Sequence, residues 1–149
     1  MKVTVYHGTT IDRGQRITND GLIRTTSDDT LRYSDTQTGF VYVTKQLCDA
    51  LDFSTRPEQE RCNLTFVVFK IIIDEAELIP DEDEHTWVST LSPNGSKSCY
   101  KVGRNLQVGR DVIAVFQKKM ESPNDIGKFM QAVQFSEINV PETEWTKIT

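Results

Sequence analysis

Apolar and polar positions alternate with a period of two at the start of the chain. Val3-Thr4-Val5-Tyr6 therefore reads as a half-buried strand. From Ile11 to Thr18 the spacing lengthens, and Thr10 stands where a helix N-cap belongs. A short helix with Ile11 and Ile17 turned inward is expected there. Asn19-Asp20-Gly21 is a turn in which Gly21 takes a positive φ, and Leu22-Ile23 is a short extended piece. Thr25 to Thr38 is polar and aperiodic, an exposed loop of a length that often carries function.

Gly39 to Thr44 predicts a second strand. Lys45 to Ser54 predicts a helix with Leu47, Ala50, Leu51 and Phe53 on its apolar side. Leu64 to Asp74 is the strongest strand: its unbroken β-branched and aromatic run predicts a central position, buried on both faces. Thr55 to Arg61 reads as a charged loop, and Leu78-Ile79-Pro80-Asp81 opens another. Trp87 to Leu91 reads as a strand or loop wall, and Pro93-Asn94-Gly95 as a turn. Cys99 to Val102 and Asp111 to Lys118 are further strands. Pro123 to Val133 is a helix with Ile126, Phe129, Met130 and Val133 on one face, and Ile138 and Val140 suggest an edge strand. Strands outnumber helices, and their order is no regular βαβα alternation. The expected fold is α+β, one domain over 1–149, with a mostly antiparallel and split sheet flanked by short helices.

Composition agrees with an ordinary globular domain: 149 residues, 37% hydrophobic and 26% charged. No apolar run reaches membrane-span length and no signal-peptide pattern opens the chain, so a cytoplasmic location is expected. A net charge of −5 argues against a broad basic face for nucleic acid. Three widely spaced cysteines and two histidines, His7 and His85, give neither a disulfide framework nor a zinc pattern. The acidic run Asp81-Glu82-Asp83-Glu84-His85 lacks the glycine and ligand alternation of a calcium loop, so no metal site is expected.

The chemistry concentrates in two short segments. His7-Gly8-Thr9-Thr10 follows the first strand and places an imidazole, a bare Cα and two hydroxyls together. Gly8 lets a ligand approach the backbone closely. Tyr42 lies in the second strand, and Phe53 follows eleven residues on, at the end of the predicted helix. Taken with Ile17, Gly21-Leu22 and Ile71-Ile72-Ile73-Asp74 through Pro80-Asp81, this order resembles the ADP-ribosyltransferase superfamily, in its diphtheria-toxin and poly(ADP-ribose) polymerase branch. That branch is known by a His–Tyr–Glu triad on three strands. The resemblance runs from about Val3 to Asp81 and implies a split antiparallel sheet, NAD as co-substrate and release of nicotinamide. It assigns His7 and Tyr42 to catalysis, and His7, Gly8, Thr9, Tyr42 and Phe53 to the nicotinamide pocket. Two aromatic faces sandwich a pyridinium by stacking and cation–π attraction, roughly 0.5–2 kcal/mol each. Gly8 would pair with the carboxamide and His7 with a ribose hydroxyl. The 25–38 loop would cover the adenosine side, with Arg24 or Arg32 at the pyrophosphate.

The chain departs from the family at the third motif. Where a glutamate is expected near the start of a late strand, this sequence has Lys97, Ser98 or Cys99, and Glu82 and Glu84 lie on the preceding acidic loop. Three readings stay open: transfer of ADP-ribose to a protein, nucleic-acid or small-molecule acceptor with an altered third residue; a pocket kept as a binding or interaction module; and an enzyme similar to the NAD-dependent RNA 2′-phosphotransferases. The last group has a basic N-terminal domain and a second histidine where this chain has Tyr42. Small size and the lack of a second domain are associated with toxin, phage or effector proteins.

Overall fold

The computed structural model describes residues 1–26, 38–55, 65–81, 99–134 and 145–148. It is a mixed α+β protein built on a mostly antiparallel sheet. The elements are β1 (Lys2–Thr9), α1 (Ile11–Asp20), β2 (Leu22–Ile23), β3 (Val41–Thr44), α2 (Leu47–Thr55), β4 (Thr65–Asp74), a 3-10 turn (Glu75–Glu77), β5 (Ile79–Pro80), β6 (Cys99–Val102), β7 (Leu106–Gln107), β8 (Val112–Lys119), α3 (Pro123–Gln134) and β9 (Thr146–Lys147). The main sheet has the order β5-β6-β3-β1-β4-β8-β9, and β2 and β7 form a separate ribbon.

β4 is central, as its unbroken apolar run requires. It pairs with β1 from Lys2↔Asp74 to Thr9↔Val67 and with β8 on its other side. Its alternate residues feed two cores. Val67, Phe69, Ile71 and Ile73 join Val5, Val41, Val43, Ile23 and Leu106 on one face. Phe66 and Val68 join Ala50 and Leu51 of α2, with Ala114, Phe116 and Trp145, on the other. α1 lies over the first face and α2 and α3 over the second, where Phe129 of α3 meets Phe66 (5.4 Å) and Phe116 (6.3 Å). Among the described residues, no helix is long and apolar enough to cross a membrane.

Several boundaries differ from the sequence expectation for identifiable reasons. β1 does not end at Tyr6: pairing with β4 carries it through His7 and Gly8 to Thr9, so His7 lies within the strand rather than at its tip. α1 starts at the Thr10 cap, whose hydroxyl accepts from Arg13 N–H, and ends at Gly21 in the left-handed region (φ 75°). Its inward face is narrower than Ile11 and Ile17 suggest. Gly14 is the buried residue of this helix, Ile17 packs at the margin of the core, and Ile11 stays exposed. β2, β5, β7 and β9 have two residues each, too short for a periodic signal. Met130 and Val133 have side chains outside the described set. Trp87 to Leu91, the 93–95 turn, Ile138 and Val140 also lie outside the described residues.

Gly127 lies in the interior of α3 with nothing within 4 Å of the position a Cβ would take. Helical glycine costs about 0.5–1 kcal/mol relative to alanine. Gly127→Ala is therefore expected to raise the stability of the protein by about that amount in urea denaturation.

Candidate functional site

The central strands β1 and β3 part company. They register at Tyr6↔Thr44, their one registered pair among the described residues, whereas β1 pairs with β4 along its length. The phase of the β1 backbone follows from the bond that Glu75 N–H donates to Met1 C=O (2.9 Å). Successive peptide groups of a strand point to opposite sides. Odd-numbered residues of β1 thus face β4, and even-numbered ones, Gly8 included, face β3. By the same alternation the Tyr42 carbonyl faces β1.

A side chain takes that carbonyl: His7 Nδ1 lies 2.7 Å from Tyr42 O. The imidazole stands in the fork where backbone pairing has stopped. A carbonyl only accepts, so Nδ1 carries the proton and Nε2 of the neutral ring is the acceptor. His7 leaves β1 with the phase of Val5 and Thr9. Its side chain therefore leaves on the α1 side of the sheet, opposite to the Tyr42 side chain and to α2 with Phe53. The expected meeting of imidazole and rings in one cleft is corrected: His7 meets the main-chain carbonyl of Tyr42 and not its ring.

The bare Cα of Gly8 has a different use from the one the sequence suggests. A Cβ there would stand 1.9 Å from Ala50 O and 3.1 Å from Ser54 N, so it is α2 that needs the missing side chain. The N–H and C=O of Gly8 still face the fork.

The Thr44 hydroxyl approaches the buried Asp49 carboxylate (3.5 Å), which places the even-numbered residues of β3 on the α2 side. Asp49 lies level with Thr44, while Ala50 and Ser54 lie against Gly8, so α2 turns back along β3. Phe53 is one helical turn beyond Asp49, and Tyr42 is two strand residues back from Thr44. Those steps advance about 6 Å and about 6.6 Å respectively. Tyr42 and Phe53 are both half-buried. Thr9 is not beside them. It is buried on the opposite face under α1, its Cγ2 3.6 Å from where a Cβ on Gly14 would lie.

The base of the 25–38 loop is fastened beside this fork. Thr26 N–H donates to Phe40 O (2.9 Å), Gly39 N–H to Thr26 O (2.8 Å) and Thr25 N–H to Asn105 Oδ1 (2.8 Å). Residues 27–37, with Arg32, lie outside the described residues. Arg24 sits beside Asp20 at 3.7 Å on the exposed surface.

β6 borders the fork on the far side of β3, with Tyr42↔Lys101 and Thr44↔Cys99 in register. Residues directly opposite in an antiparallel pair share a face. The side chain next to Tyr42 is thus Lys101, which sequence reasoning missed. Its Nζ lies 4.5 Å from the Phe40 ring centroid. Only the register of β6 singles it out, and nothing in the composition of Cys99 to Val102 discloses that register. Lys97, Ser98, Glu82, Glu84 and His85 lie outside the described residues. Asp111 is engaged with Arg104 (3.0 Å), away from the fork. Cys48 is no ready nucleophile: burial, then the charge of Asp49, pushes its thiol up to about 11.

A scan of the sequence against protein-family models finds no match, and a search of the curated proteins finds none either.

Proposed function

We propose that the fork between β1 and β3 takes the nicotinamide end of NAD, and that the protein acts as an NAD-dependent mono-ADP-ribosyltransferase-like domain. In this reading it transfers ADP-ribose to an acceptor with release of nicotinamide. The observation that carries the reading is the 2.7 Å contact of His7 Nδ1 with the Tyr42 carbonyl. It joins residues from two segments far apart in sequence at the place where the ladder opens, and it fixes the tautomer of the imidazole.

The donor set supports the ligand class. A carboxamide needs one acceptor and one donor, and Gly8 turns its C=O and N–H toward the fork. Tyr42, on the α2 side of β3, and Phe53 of α2 would supply two flat faces for a pyridinium. The pairing of His7 with a ribose hydroxyl rests on the family resemblance alone, for a ligand that passes between the parted strands. When the glycosidic bond of NAD breaks, positive charge spreads over the ribose. The residues of the fork act by holding the ring plane and the sugar in the geometry for departure of the base.

One observation favours a second reading, a retained pocket without turnover. Of the three residues at the place of the third-motif glutamate, the described one is Cys99, buried opposite Thr44, and it supplies no carboxylate to steady developing positive charge.

Incubation with labelled NAD and a cell lysate tests the proposal. Label on an acceptor with the wild type, lost in His7→Ala, supports transfer. Binding of NAD without release of nicotinamide selects the second reading. Neither consumption nor a thermal shift with NAD overturns both. Tyr42→Ala is expected to weaken NAD at least about tenfold, about 1.4 kcal/mol. Unchanged affinity in a folded variant contradicts the stacking role.

A further inference from the structure

We infer that His7 is a positioning residue that wedges the fork open: its Nδ1–H diverts the Tyr42 carbonyl from Gly8, and without that bond β1 and β3 zip together. The inference concerns the protein without ligand and does not rest on the nicotinamide reading.

The ladder shows what is displaced. Tyr6 and Thr44 are paired across β1 and β3 with their main-chain groups facing each other. In an antiparallel ladder such pairs recur at every second residue. The next is therefore Gly8 with Tyr42, and it is not formed: among the described residues the β1–β3 register stops at Tyr6↔Thr44. β1 has not ended there, since it pairs with β4 as far as Thr9↔Val67. Nor has β3, whose register with β6 runs through Tyr42↔Lys101 to Val41↔Val102. Both strands continue, yet the pairing between them gives out at the residue whose carbonyl His7 has taken at 2.7 Å.

Direction explains why one bond excludes the other. A carbonyl oxygen has two lone pairs and can accept twice. A ladder bond, however, runs straight across from strand to strand. The His7 side chain leaves on the α1 side, so its bond tilts the Tyr42 carbonyl toward that face and past Gly8 N–H. The exchange is uneven. One side-chain bond stands in for a pair of main-chain bonds, and Gly8 is buried. Buried main-chain groups strongly favour pairing, so removing the competitor closes the ladder. A ligand that shows Gly8 one acceptor and one donor takes the place of the Tyr42 main chain, and a closed ladder shuts it out.

The test is nuclear magnetic resonance of the isotope-labelled full chain without ligand, at alkaline pH where the imidazole is neutral. In the wild type the His7 ring nitrogens should place the proton on Nδ1, and the Gly8 and Tyr42 amide protons should show no mutual Overhauser contact. His7→Leu keeps bulk at the same reach but has no donor. It should bring that contact out and slow exchange of the Gly8 amide at least about tenfold. His7→Asn carries a donor nitrogen as many bonds from the main chain as Nδ1, and should stay open like the wild type. A proton on Nε2, or a Gly8–Tyr42 contact already present in the wild type, overturns the inference without any variant. So does a folded His7→Leu protein in which the contact stays absent, since bulk and not the bond then parts the strands. A His7→Asn protein closed like His7→Leu overturns it as well. Failure of NAD to bind the wild type bears on the nicotinamide reading alone and leaves the wedge standing.

Discussion

Replacing Gly8 by alanine is expected to cost about 3 kcal/mol or more and to loosen α2 from the sheet. The added methyl carbon would stand 1.9 Å from the carbonyl oxygen of Ala50 and 2.9 Å from its carbonyl carbon. Both are backbone atoms inside a helix, so no rotamer change relieves the overlap. α2 must move as a body, and it carries Ala50 and Leu51, both fully buried against the core that contains Phe66 and Val68. Gly14 provides the comparison. A Cβ there meets Val67 Cγ1 at 2.9 Å, a side-chain methyl able to shift, so Gly14→Ala should cost less. Urea denaturation of the two variants ranks them. A Gly8→Ala protein within about 1 kcal/mol of wild type means that α2 does not rest on this residue.

That contact also shows where sequence reasoning reaches its limit. Gly8 is legible as a residue that needs no side chain, but its partner is not. A ligand and a neighbouring helix ask the same thing of a glycine, and only the three-dimensional path of α2 separates them. The long apolar run of β4 announces its central place because burial on both faces leaves a compositional trace. The partner of His7 left no trace in the sequence, since a bond to a main-chain carbonyl depends on no side-chain identity at Tyr42. Lys101 was missed because strand register decides its neighbour. Two-residue strands such as β5 and β7 carry too few positions for any period, and their place comes from pairing alone.

The second large loss is expected from Arg104→Met, about 2–3 kcal/mol at neutral pH, below the range for fully buried pairs because the arginine is one-third exposed. Its guanidinium binds two carboxylates at once. Nε and Nη2 donate to Glu77 at 2.6 and 3.2 Å, and Nη1 and Nη2 donate to Asp111 at 3.0 and 3.1 Å. Nη1 also donates to Asn105 O (3.1 Å). The Asp111 side chain is only 8% exposed, so removal of the arginine strands a carboxylate with little water. For Glu77 the hydrogen bonds from Arg104 lower the pKa below its ordinary 4.5, against a smaller effect of burial. For Asp111 burial is the largest single influence and pushes upward. The Arg104 bonds, the Gln107 N–H and the nearby arginine charges together outweigh it, holding the group below 3.8. Both groups bind protons more weakly folded than unfolded. The stability they contribute is present above their ordinary values and is lost as pH falls through the lowered ones. Without Arg104 the burial of Asp111 acts unopposed by that cation, and acid then relieves the variant instead of harming it. The gap between wild type and Arg104→Met should accordingly be widest above about pH 5 and narrow steadily below about pH 4. A gap that stays constant down to about pH 3 in denaturation curves would mean that Arg104 acts through packing of its aliphatic stem and not through its charge. The same cluster bears on the fork, because Asn105, held by Arg104 through its carbonyl, accepts from Thr25 N–H through its side chain. Losing Arg104 removes a bond to the main chain of the residue that anchors Thr25, while the Thr25–Asn105 bond itself does not involve Arg104.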